Sequence, residues 1–327
     1  MSAVPRSLPT PDAATELSMA VGFIGLGRMG LPFSQRLVHA KLPIVVWDRT
    51  QSKVELAVAD GAKWAQSPND LARSVGKGIT FVMVTDYPAV KQVLLGLKGF
   101  ARGAPAGALV VNLSTIDPEE SRDLSKRLGE RGIHYLDSPV AGSVEQVVRG
   151  EVVFFVGGEG ADVARARPLL ERMGRGVEHM GPVGTGSAMK LVNNLLTIGI
   201  TVLSTEALAL ADGFHLERSR VIEVLLAGGG NSTMLERKAP NFLSRSYPAQ
   251  FTTALARKDL KLVEKASARD GRSLKMTREA RKLVEDAIAQ GHAEDDFSSV
   301  LEATLARGRS TVAQSAASAA AVPPAEP

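Results

Sequence analysis

The first half of the chain alternates two hydrophobic patterns. Between residue 19 and about residue 180, short apolar runs are separated by stretches with helical periodicity, such as MGLPFSQRLVHAK and DPEESRDLSKRLGERG. The apolar runs are AVGFIG, PIVVW, ITFVMVT, ALVVNLS, IHYLD and VVFFVGG. Most of them are rich in β-branched residues and apolar throughout, which is typical of strands covered on both faces. This alternation predicts a parallel, doubly wound α/β sheet.

The second half shows only the helical pattern. After Gly181 no further strand run occurs, and we expect helices as far as about residue 306. Breaks are expected at AGGGNST and around Pro240 and Pro248, because glycine and proline interrupt helices. The pattern therefore predicts an α/β domain over residues 19–182 and an all-helical domain over residues 183–306.

Both ends of the chain lack either pattern. The first 18 residues contain Asp12 and Glu16 and no apolar core, unlike a signal peptide. The last residues are rich in alanine, serine and proline. We predict a disordered extension over residues 1–18 and a disordered tail over residues 307–327.

A narrow polar stripe follows the helix that begins near Gly184, in GTGSAMKLVNNLLTIGITVLSTEALAL. Lys190, Asn194, Thr197 and Thr201 fall on one face, and the rest of the helix is largely apolar. This stripe predicts a polar occupant in the core. Because the helix leaves the first domain to enter the second, Lys190 is expected at the domain junction, where clefts form.

Lys190 has two interpretations. A buried lysine is costly unless it pairs with an anion or is neutral, so Lys190 would either bind a carboxylate ligand or transfer a proton near neutral pH. Asn194, one turn on, has a donor and an acceptor that can hold a reacting oxygen. The alternative is that Lys190 is an ordinary first-turn residue that reaches solvent.

A glycine-rich loop follows the first predicted strand. Gly25, Gly27 and Gly30 form G-x-G-x-x-G between this strand and a helix. The first glycine permits a tight turn, the second lets the backbone approach a pyrophosphate, and the third allows close packing of helix and strand. The sequence therefore predicts a Rossmann-type dinucleotide site, with the cofactor-binding loop residues Gly25, Leu26, Gly27, Arg28, Met29 and Gly30.

The choice of cofactor depends on the end of the second strand. Asp48 would accept hydrogen bonds from ribose hydroxyls, which favours NAD. Arg49 and Thr50 would grip a 2′-phosphate, which favours NADP. Both cofactors stay open, and the position of Asp48 inclines the prediction slightly towards NAD.

The composition of the chain excludes several kinds of binding partner and site. The 327 residues include 39 Lys and Arg and 35 Asp and Glu, a net charge of +4, without a dense basic run. We therefore expect no nucleic-acid partner. The absence of cysteine and of any H-x-x-x-H pair argues against a metal site. No apolar run reaches the length of a membrane helix without polar interruption, so we expect no membrane association and a cytoplasmic location.

With these residues in view, the chain resembles a known family. The blocks GFIGLGRMGLP, VNLSTIDP, DSPVAGSVEQVVRGEVVFFVGG and GTGSAMKLVNN occur in order, and RKDLKLV follows on a later helix. They are similar to those of the β-hydroxyacid dehydrogenase family, the group of 3-hydroxyisobutyrate dehydrogenase, tartronate semialdehyde reductase and glyoxylate/succinic semialdehyde reductase. The resemblance implies a Rossmann domain, an all-helical C-terminal domain and a homodimer or homotetramer.

The resemblance also implies roles for single residues. Lys190 would be the catalytic acid/base, and Asn194 would position the reacting oxygen or the substrate, with Asn193 beside it. Ser114 and Thr115 would lie by the nicotinamide and the substrate carboxylate. From the residues alone, Ser114 and Thr115 end a strand where ligands of such folds bind, although they would also suit the N-cap of the next helix.

Of two further segments, one matches the family pattern and the other departs from it. Lys258 stands in the family's KDL segment, where the lysine reaches the nicotinamide side. The family usually has S-G-G where this chain has Ala141, Gly142 and Ser143, so one serine hydroxyl is lost or moved. We expect backbone N–H groups at Gly142 and Ser143 to bind the substrate carboxylate despite this change.

The leading hypothesis is an NAD(P)-dependent enzyme that interconverts a small 3-hydroxy acid and its semialdehyde. An imine reductase on the same scaffold is one alternative, although the lysine is typically replaced in that branch. A 6-phosphogluconate-type enzyme would need a larger chain and an arginine cluster for phosphate. A catalytically idle dinucleotide-binding or scaffold protein is the alternative from another class.

Overall fold

The computed structural model describes residues 20–307. The predicted extension lies outside these residues, as does the predicted tail beyond Arg307. The chain forms two compact units that divide between Lys190 and Leu191.

The first unit is built on a nine-stranded sheet. Its strands are β1 (Val21–Ile24), β2 (Ile44–Trp47), β3 (Lys63–Trp64), β4 (Ile79–Val82), β5 (Leu109–Asn112), β6 (His134–Asp137), β7 (Val140–Ala141), β8 (Val153–Gly157) and β9 (Gly176–Gly181). The strand order is β3-β2-β1-β4-β5-β6-β8-β7, and β9 pairs with β8. The order reverses direction at β1, so the crevice beside the end of β1 is where such folds bind ligands.

Helices between the strands cover both faces of the sheet. They are α1 (Gly30–His39), α2 (Gln51–Ala59), α3 (Pro68–Val75), α4 (Tyr87–Leu95), α5 (Pro118–Gly129), α6 (Val144–Arg149) and α7 (Gly160–Met173), with a 3₁₀ turn at Phe100–Arg102. The neighbours Phe23 and Ile24 on β1 are both fully buried but belong to two separate apolar cores. Because successive side chains of a strand point to opposite faces, the sheet has one core on each face. The predicted doubly wound sheet is confirmed.

The sheet is less uniform than the pattern predicts. Strands β1 to β6 pair in parallel, but β8 is antiparallel to both β6 and β7. The short strands β3 and β7 and the last strand β9 were not predicted. β3 and β7 have two residues each, and β9 carries the exposed Glu178 and His179, so none of the three produces an apolar run.

The second unit is helical, as predicted. The helix α8 (Thr185–Gly213) begins in the first unit and continues into the second. It is followed by α9 (Arg218–Ala227), α10 (Thr233–Ser244), α11 (Thr253–Arg269), α12 (Lys275–Ala289), a 3₁₀ turn at Phe297–Ser299 and helical residues 300–307. Apart from a single bridge between Thr252 and Asp296, the described part of this unit has no strand pairing.

The expected helix breaks are confirmed with one exception. The break between α9 and α10 coincides with the glycine stretch, and Pro248 lies between α10 and α11. Pro240, however, lies inside α10, so the break predicted there is wrong. Proline removes the hydrogen bond to the carbonyl four residues earlier, which is that of Glu236. Both residues are exposed, and water can solvate this carbonyl.

The polar stripe of α8 is largely satisfied within the helix. The hydroxyls of Thr201 and Ser204 donate to carbonyls four residues earlier, at 2.9 and 2.8 Å. Thr197 donates to the carbonyl oxygen of Asn194 at 3.4 Å. The hydroxyl part of the stripe therefore needs no polar occupant, and only its first turn remains to be explained.

By length and composition alone, α8 is also long and apolar enough to cross a membrane, a test that core helices of globular proteins also pass. Its exposed apolar side chains are Val192, Leu196, Leu203 and Leu210. The expected absence of a membrane partner and the expected homo-oligomer both stay predictions.

A buried ion pair organises the second unit. Lys238 on α10 lies 2.7 Å from Oδ1 and 2.9 Å from Oδ2 of Asp296. Both residues are buried, and the Asp296 carboxylate also accepts the hydroxyl of Ser298 and the backbone N–H of Phe251. This carboxylate thus joins α10 to the segments before α11 and before the last helical residues.

We expect Lys238→Met to destabilise the protein by about 3–5 kcal/mol, because it leaves the Asp296 charge buried without its cation. Lys282→Met is the matched control, since Lys282 forms an exposed pair with Glu279 at 2.8 Å. The control should change the unfolding free energy by less than about 1 kcal/mol. Urea unfolding measures both; equal effects of the two substitutions would contradict this role of the pair.

Candidate functional site

The glycine loop after β1 combines two packed glycines with one open glycine. Gly25 has a φ of +98°, and a Cβ there would lie 2.2 Å from the carbonyl oxygen of Met83. A Cβ on Gly30 would lie 2.0 Å from the carbonyl oxygen of Gly25. A Cβ on Gly27 would meet no atom within 4 Å. Gly25 and Gly30 are therefore required by the fold, whereas Gly27 leaves the loop surface open to a ligand.

The helix that follows this loop fits the same ligand. No side chain caps the N-terminus of α1, which begins at Gly30. An uncapped helix N-terminus offers backbone N–H donors and the positive end of the helix dipole, both of which favour a phosphate. The open surface at Gly27 and this helix start together fit the pyrophosphate of a dinucleotide.

Asp48 ties the glycine loop to the end of β2. Its Oδ2 accepts the N–H of Leu26 at 2.7 Å, and its Oδ1 accepts the N–H of Thr50 at 2.7 Å. Each carboxylate oxygen can accept a further bond, so Asp48 keeps the capacity to bind ribose hydroxyls. Arg49 and Thr50 are exposed beside it. The predicted cofactor contacts of these residues stay predictions.

Ser114 joins the carboxyl ends of β4 and β5. It is 3% exposed, and its hydroxyl accepts the N–H of Val84 at 2.9 Å. Thr115, the next residue, is half-buried. The interpretation of the pair as an N-cap is wrong, because Asp117 caps α5 in a capping box with Glu120. Their predicted contacts with the substrate stay untested.

Gly142 and Ser143 form the start of α6. Gly142 has a φ of +153°, and a Cβ there would lie 2.5 Å from Cγ1 of Val152. Ser143 donates its N–H to Oε1 of Gln146 at 3.0 Å, and its hydroxyl accepts the N–H of Gln146 at 3.4 Å. The backbone donor that we expected Ser143 to offer a carboxylate is therefore engaged by Gln146 in this conformation. Its substrate role stays a prediction that requires Gln146 to move.

The start of α8 is held by a buried carboxylate. Asp137, the last residue of β6, accepts the N–H of Gly184 at 2.7 Å and that of Ser187 at 2.6 Å. Burial raises the pKa of Asp137 to about 6, and the two backbone hydrogen bonds oppose this rise. At pH 7 Asp137 is therefore mainly ionised. Lys190, which is partly buried, follows Ser187 by about one helical turn.

In the second unit, three predicted site residues gather around an aspartate that was not predicted. Asn194 is 3% exposed and donates its amide N–H to Oδ2 of Asp259 at 2.6 Å. The amide of Asn193 donates to Oδ1 of Asn194 at 3.1 Å. Nζ of Lys258 lies 3.1 Å from Oδ1 of Asp259. Asp259 therefore fixes the orientation of Asn194 and holds Lys258.

The sequence contains a signal for Asp137 and Asp259, which were not predicted as site residues. Asp137 ends a buried strand in IHYLDSP, just as Asp48 follows one in IVVWDRT. A charged residue at the end of an otherwise apolar strand indicates a buried or ligand-facing group. Asp259 directly follows Lys258 in the RKDLKLV segment. Both residues could have been named as candidates on this ground.

Comparison with protein-family models agrees with this geometry. The model described as the NAD binding domain of 6-phosphogluconate dehydrogenase matches residues 20–181. The model described as the NAD-binding of NADP-dependent 3-hydroxyisobutyrate dehydrogenase matches residues 184–304. Together they account for most of the described chain.

Individual proteins are similar over nearly the whole chain. Glyoxylate/succinic semialdehyde reductase 2 of Arabidopsis thaliana is 32% identical, over 91% of this chain and 83% of that protein. NAD-dependent L-serine dehydrogenase of Pseudomonas aeruginosa is 34% identical, over 86% of this chain and 96% of that protein. The structure of a Mycobacterium tuberculosis 3-hydroxyisobutyrate dehydrogenase with L-serine has a TM-score of 0.79 and 27% identity, over 87% and 98% of the two chains. A Streptomyces aurantiacus imine reductase has a TM-score of 0.57 and 25% identity, over 86% and 98%.

The sheet order, the glycine loop and the helical second unit define a Rossmann-type oxidoreductase that uses NAD or NADP. The chain belongs to the β-hydroxyacid dehydrogenase family, as the family models and the similar proteins show. The resemblance predicted from the sequence blocks is thereby confirmed.

The open glycine of the loop allows a clean test of the cofactor site. We expect Gly27→Val to fold normally and to weaken NAD(P)H binding at least about tenfold, because the side chain would occupy the surface that the pyrophosphate approaches. Gly160→Val, at a second glycine whose Cβ would meet nothing within 4 Å, is the matched control. Fluorescence titration of NAD(P)H measures both variants. Unchanged affinity in a folded Gly27→Val variant would place the phosphate loop elsewhere.

Proposed function

We propose that the protein interconverts a small 3-hydroxy acid and its semialdehyde, with Lys190 as general acid/base. The observation that carries the proposal is the start of the polar stripe on α8, where Lys190 precedes the buried Asn194 by one helical turn. A dinucleotide loop in the same chain supports it, and so do relatives named as semialdehyde reductases and 3-hydroxyisobutyrate dehydrogenases. The particular acid stays open.

The proposed chemistry divides between the cofactor and two side chains. A bound nicotinamide accepts or supplies the hydride at the carbinol or carbonyl carbon. In the reductive direction Lys190 stabilises the negative charge that develops on the carbonyl oxygen and donates a proton to it. In the oxidative direction Lys190 removes the hydroxyl proton. Asn194 keeps a second amide N–H besides the one given to Asp259, and this group orients the reacting oxygen.

The substrate carboxylate needs its own partners. We assign it to Ser114, Thr115 and the backbone at Gly142, with Lys258 as the cation that neutralises it. Ser114 has one hydroxyl proton left to donate, because the bond from Val84 uses an acceptor position. Lys258 is partly exposed, and its ammonium lies 3.1 Å from Oδ1 of Asp259.

Three other functions are less well supported. An imine reductase shares the fold, but the presence of Lys190 favours a reaction that protonates oxygen. An idle dinucleotide-binding protein would not need Lys190 and Asn194 one turn apart on the same helix. A 6-phosphogluconate-type reaction would require a phosphate-binding arginine cluster, which the sequence does not provide.

We expect Lys190→Ala to lower kcat by about 10²- to 10⁴-fold, because the proton transfer loses its acid/base. Affinity for NAD(P)H should stay within about twofold, since the lysine is not part of the phosphate loop. Lys261→Ala on α11 is the matched control, because Lys261 is exposed and pairs with Glu285 at 3.7 Å. Steady-state kinetics with short semialdehydes and glyoxylate measure both variants. More than about a tenth of wild-type kcat in Lys190→Ala would refute the acid/base role.

Arg49 is the better probe of cofactor choice, because Asp48 also supports the backbone of the glycine loop. If NADP is the working cofactor, Arg49→Ala should weaken NADP binding by about 1.5–3 kcal/mol, as for a charged hydrogen bond, and leave NAD binding almost unchanged. If NAD is the working cofactor, as we propose, this variant should bind and turn over like the wild type. The exposed Arg220 on α9, changed to alanine, serves as the control. A wild-type kcat/KM more than about tenfold higher with NADPH would contradict the preference for NAD.

A further inference from the structure

A chain of buried polar groups connects the carboxyl ends of β5 and β6 to the start of α8, within the first unit. Its members are each 4% exposed or less: Asn112, Ser114, Ser121, Tyr135, Asp137 and Ser187. Buried polar networks of this kind specify one arrangement of the elements that they join, because any displacement leaves a polar group unpaired. The network therefore defines the position of α8 relative to the sheet.

The first half of the network lies at the ends of β5 and β6. The N–H of Ser114 donates to Oδ1 of Asn112 at 3.1 Å, and the amide of Asn112 donates to the hydroxyl of Tyr135 at 3.0 Å. Burial raises the pKa of Tyr135, so this hydroxyl stays protonated. The loop that carries Ser114 and Thr115 is thus linked to β6.

The second half continues from β6 to α8. The Ser121 side chain on α5 interacts with the Tyr135 hydroxyl. The Ser121 hydroxyl also lies 2.9 Å from that of Ser187 on α8. The backbone N–H of Ser187 then donates to Asp137 at 2.6 Å, and that of Gly184 donates to the same carboxylate at 2.7 Å. The polar chain is therefore continuous from the predicted substrate loop to the helix that carries Lys190.

Close backbone contacts leave α8 little freedom to slide. A Cβ on Gly186 would lie 2.3 Å from the carbonyl oxygen of Phe155 and 2.5 Å from that of Asp137. The first turn of α8 therefore rests directly on the ends of β6 and β8. In this position the Asp137 carboxylate satisfies two helix N–H groups and faces the positive end of the helix dipole.

We propose that Asp137 is a positioning residue that holds Lys190 in register with the loop of Ser114 and Thr115. The proposal rests on the proposed function of Lys190. An ionised carboxylate is costly to bury, and the two backbone N–H bonds and the helix dipole offset this cost only while α8 stays in this position. Burial raises the pKa of Asp137 to about 6, which is the direction expected of such a cost. The carboxylate of Asp137 binds the start of α8 rather than the glycine loop, so its effect on catalysis passes through α8.

Asp137→Asn in the full-length chain tests this role. The substitution preserves the size of the side chain and removes its charge. It also replaces one accepting oxygen by an NH₂ group, which would face a backbone N–H donor. We expect kcat to fall by about 10- to 100-fold, as for a small misplacement of a catalytic group. NAD(P)H affinity should stay within about twofold, since the glycine loop is untouched. Amide hydrogen exchange at residues 186–191 should become faster, which is a readout independent of activity.

A double-mutant cycle separates positioning from general damage. If Asp137 acts through Lys190, adding Asp137→Asn to Lys190→Ala should lower kcat no further. Asp162→Asn is the matched control, because Asp162 is equally polar, 7% exposed and paired with His134 at the opposite end of β6. The control should change kcat less than about twofold. If Asp137→Asn does not fold, the Ser121→Ala/Ser187→Ala double variant replaces it, because it removes the hydroxyl contact between α5 and α8 while the Tyr135 hydroxyl keeps the hydrogen bond from Asn112.

Two outcomes would overturn the inference. The first is a folded Asp137→Asn, or the double serine variant in its place, with wild-type kcat and unchanged exchange at the start of α8. The second is a full additional loss of kcat in the Lys190→Ala background. Failure of the proposed function looks different: Lys190→Ala alone would keep wild-type kcat, while Asp137→Asn would still accelerate exchange at residues 186–191.

Discussion

The attachment of α8 to the sheet through the Asp137 carboxylate fixes the geometry of the first unit's site. Asp137 ends β6 and receives the N–H groups of Gly184 and Ser187, so the strand end and the helix start form one rigid piece. Without an internal acceptor at the helix start, these donors would bind solvent or a ligand. Here Asp137 accepts both N–H groups, so the position of the helix start is fixed. Lys190 follows about one turn later on the same helix.

A second carboxylate has a comparable task in the second unit. Asp259 orients the Asn194 amide and holds the Lys258 ammonium, so these polar groups are fixed before any ligand binds. Pre-organised groups lose little conformational entropy on binding and act on a developing charge without rearrangement. The glycine loop differs, because Gly27 contributes by the absence of a side chain rather than by a contact. The proposed chemistry therefore requires two kinds of feature: polar side chains whose positions are fixed by a carboxylate, and a glycine loop whose surface is open to the cofactor.

The sequence predicted the features that local pattern determines and missed those that depend on pairing across the chain. The apolar strand runs, the glycine loop and the helical second half were all evident, because periodicity and turn chemistry are local properties. Strand β9 was not predicted, because its exposed Glu178 and His179 break the apolar pattern. A helix break was wrongly predicted at Pro240, because its exposed position tolerates a lost hydrogen bond. The engagement of Ser143 by Gln146 was likewise invisible, because hydrogen bonds that compete for one donor appear only in three dimensions.

Transfer of deuterium from nicotinamide-deuterated NADH or NADPH to a short semialdehyde measures the proposed reaction itself. The wild-type protein is incubated with the labelled cofactor and a panel of semialdehydes and glyoxylate, and the hydroxy acid products are analysed by mass spectrometry. We predict one deuterium on the carbinol carbon of at least one 3-hydroxy acid product. Cofactor binding, seen as a fluorescence change, without deuterium in any product would contradict the proposed reaction and favour a binding protein.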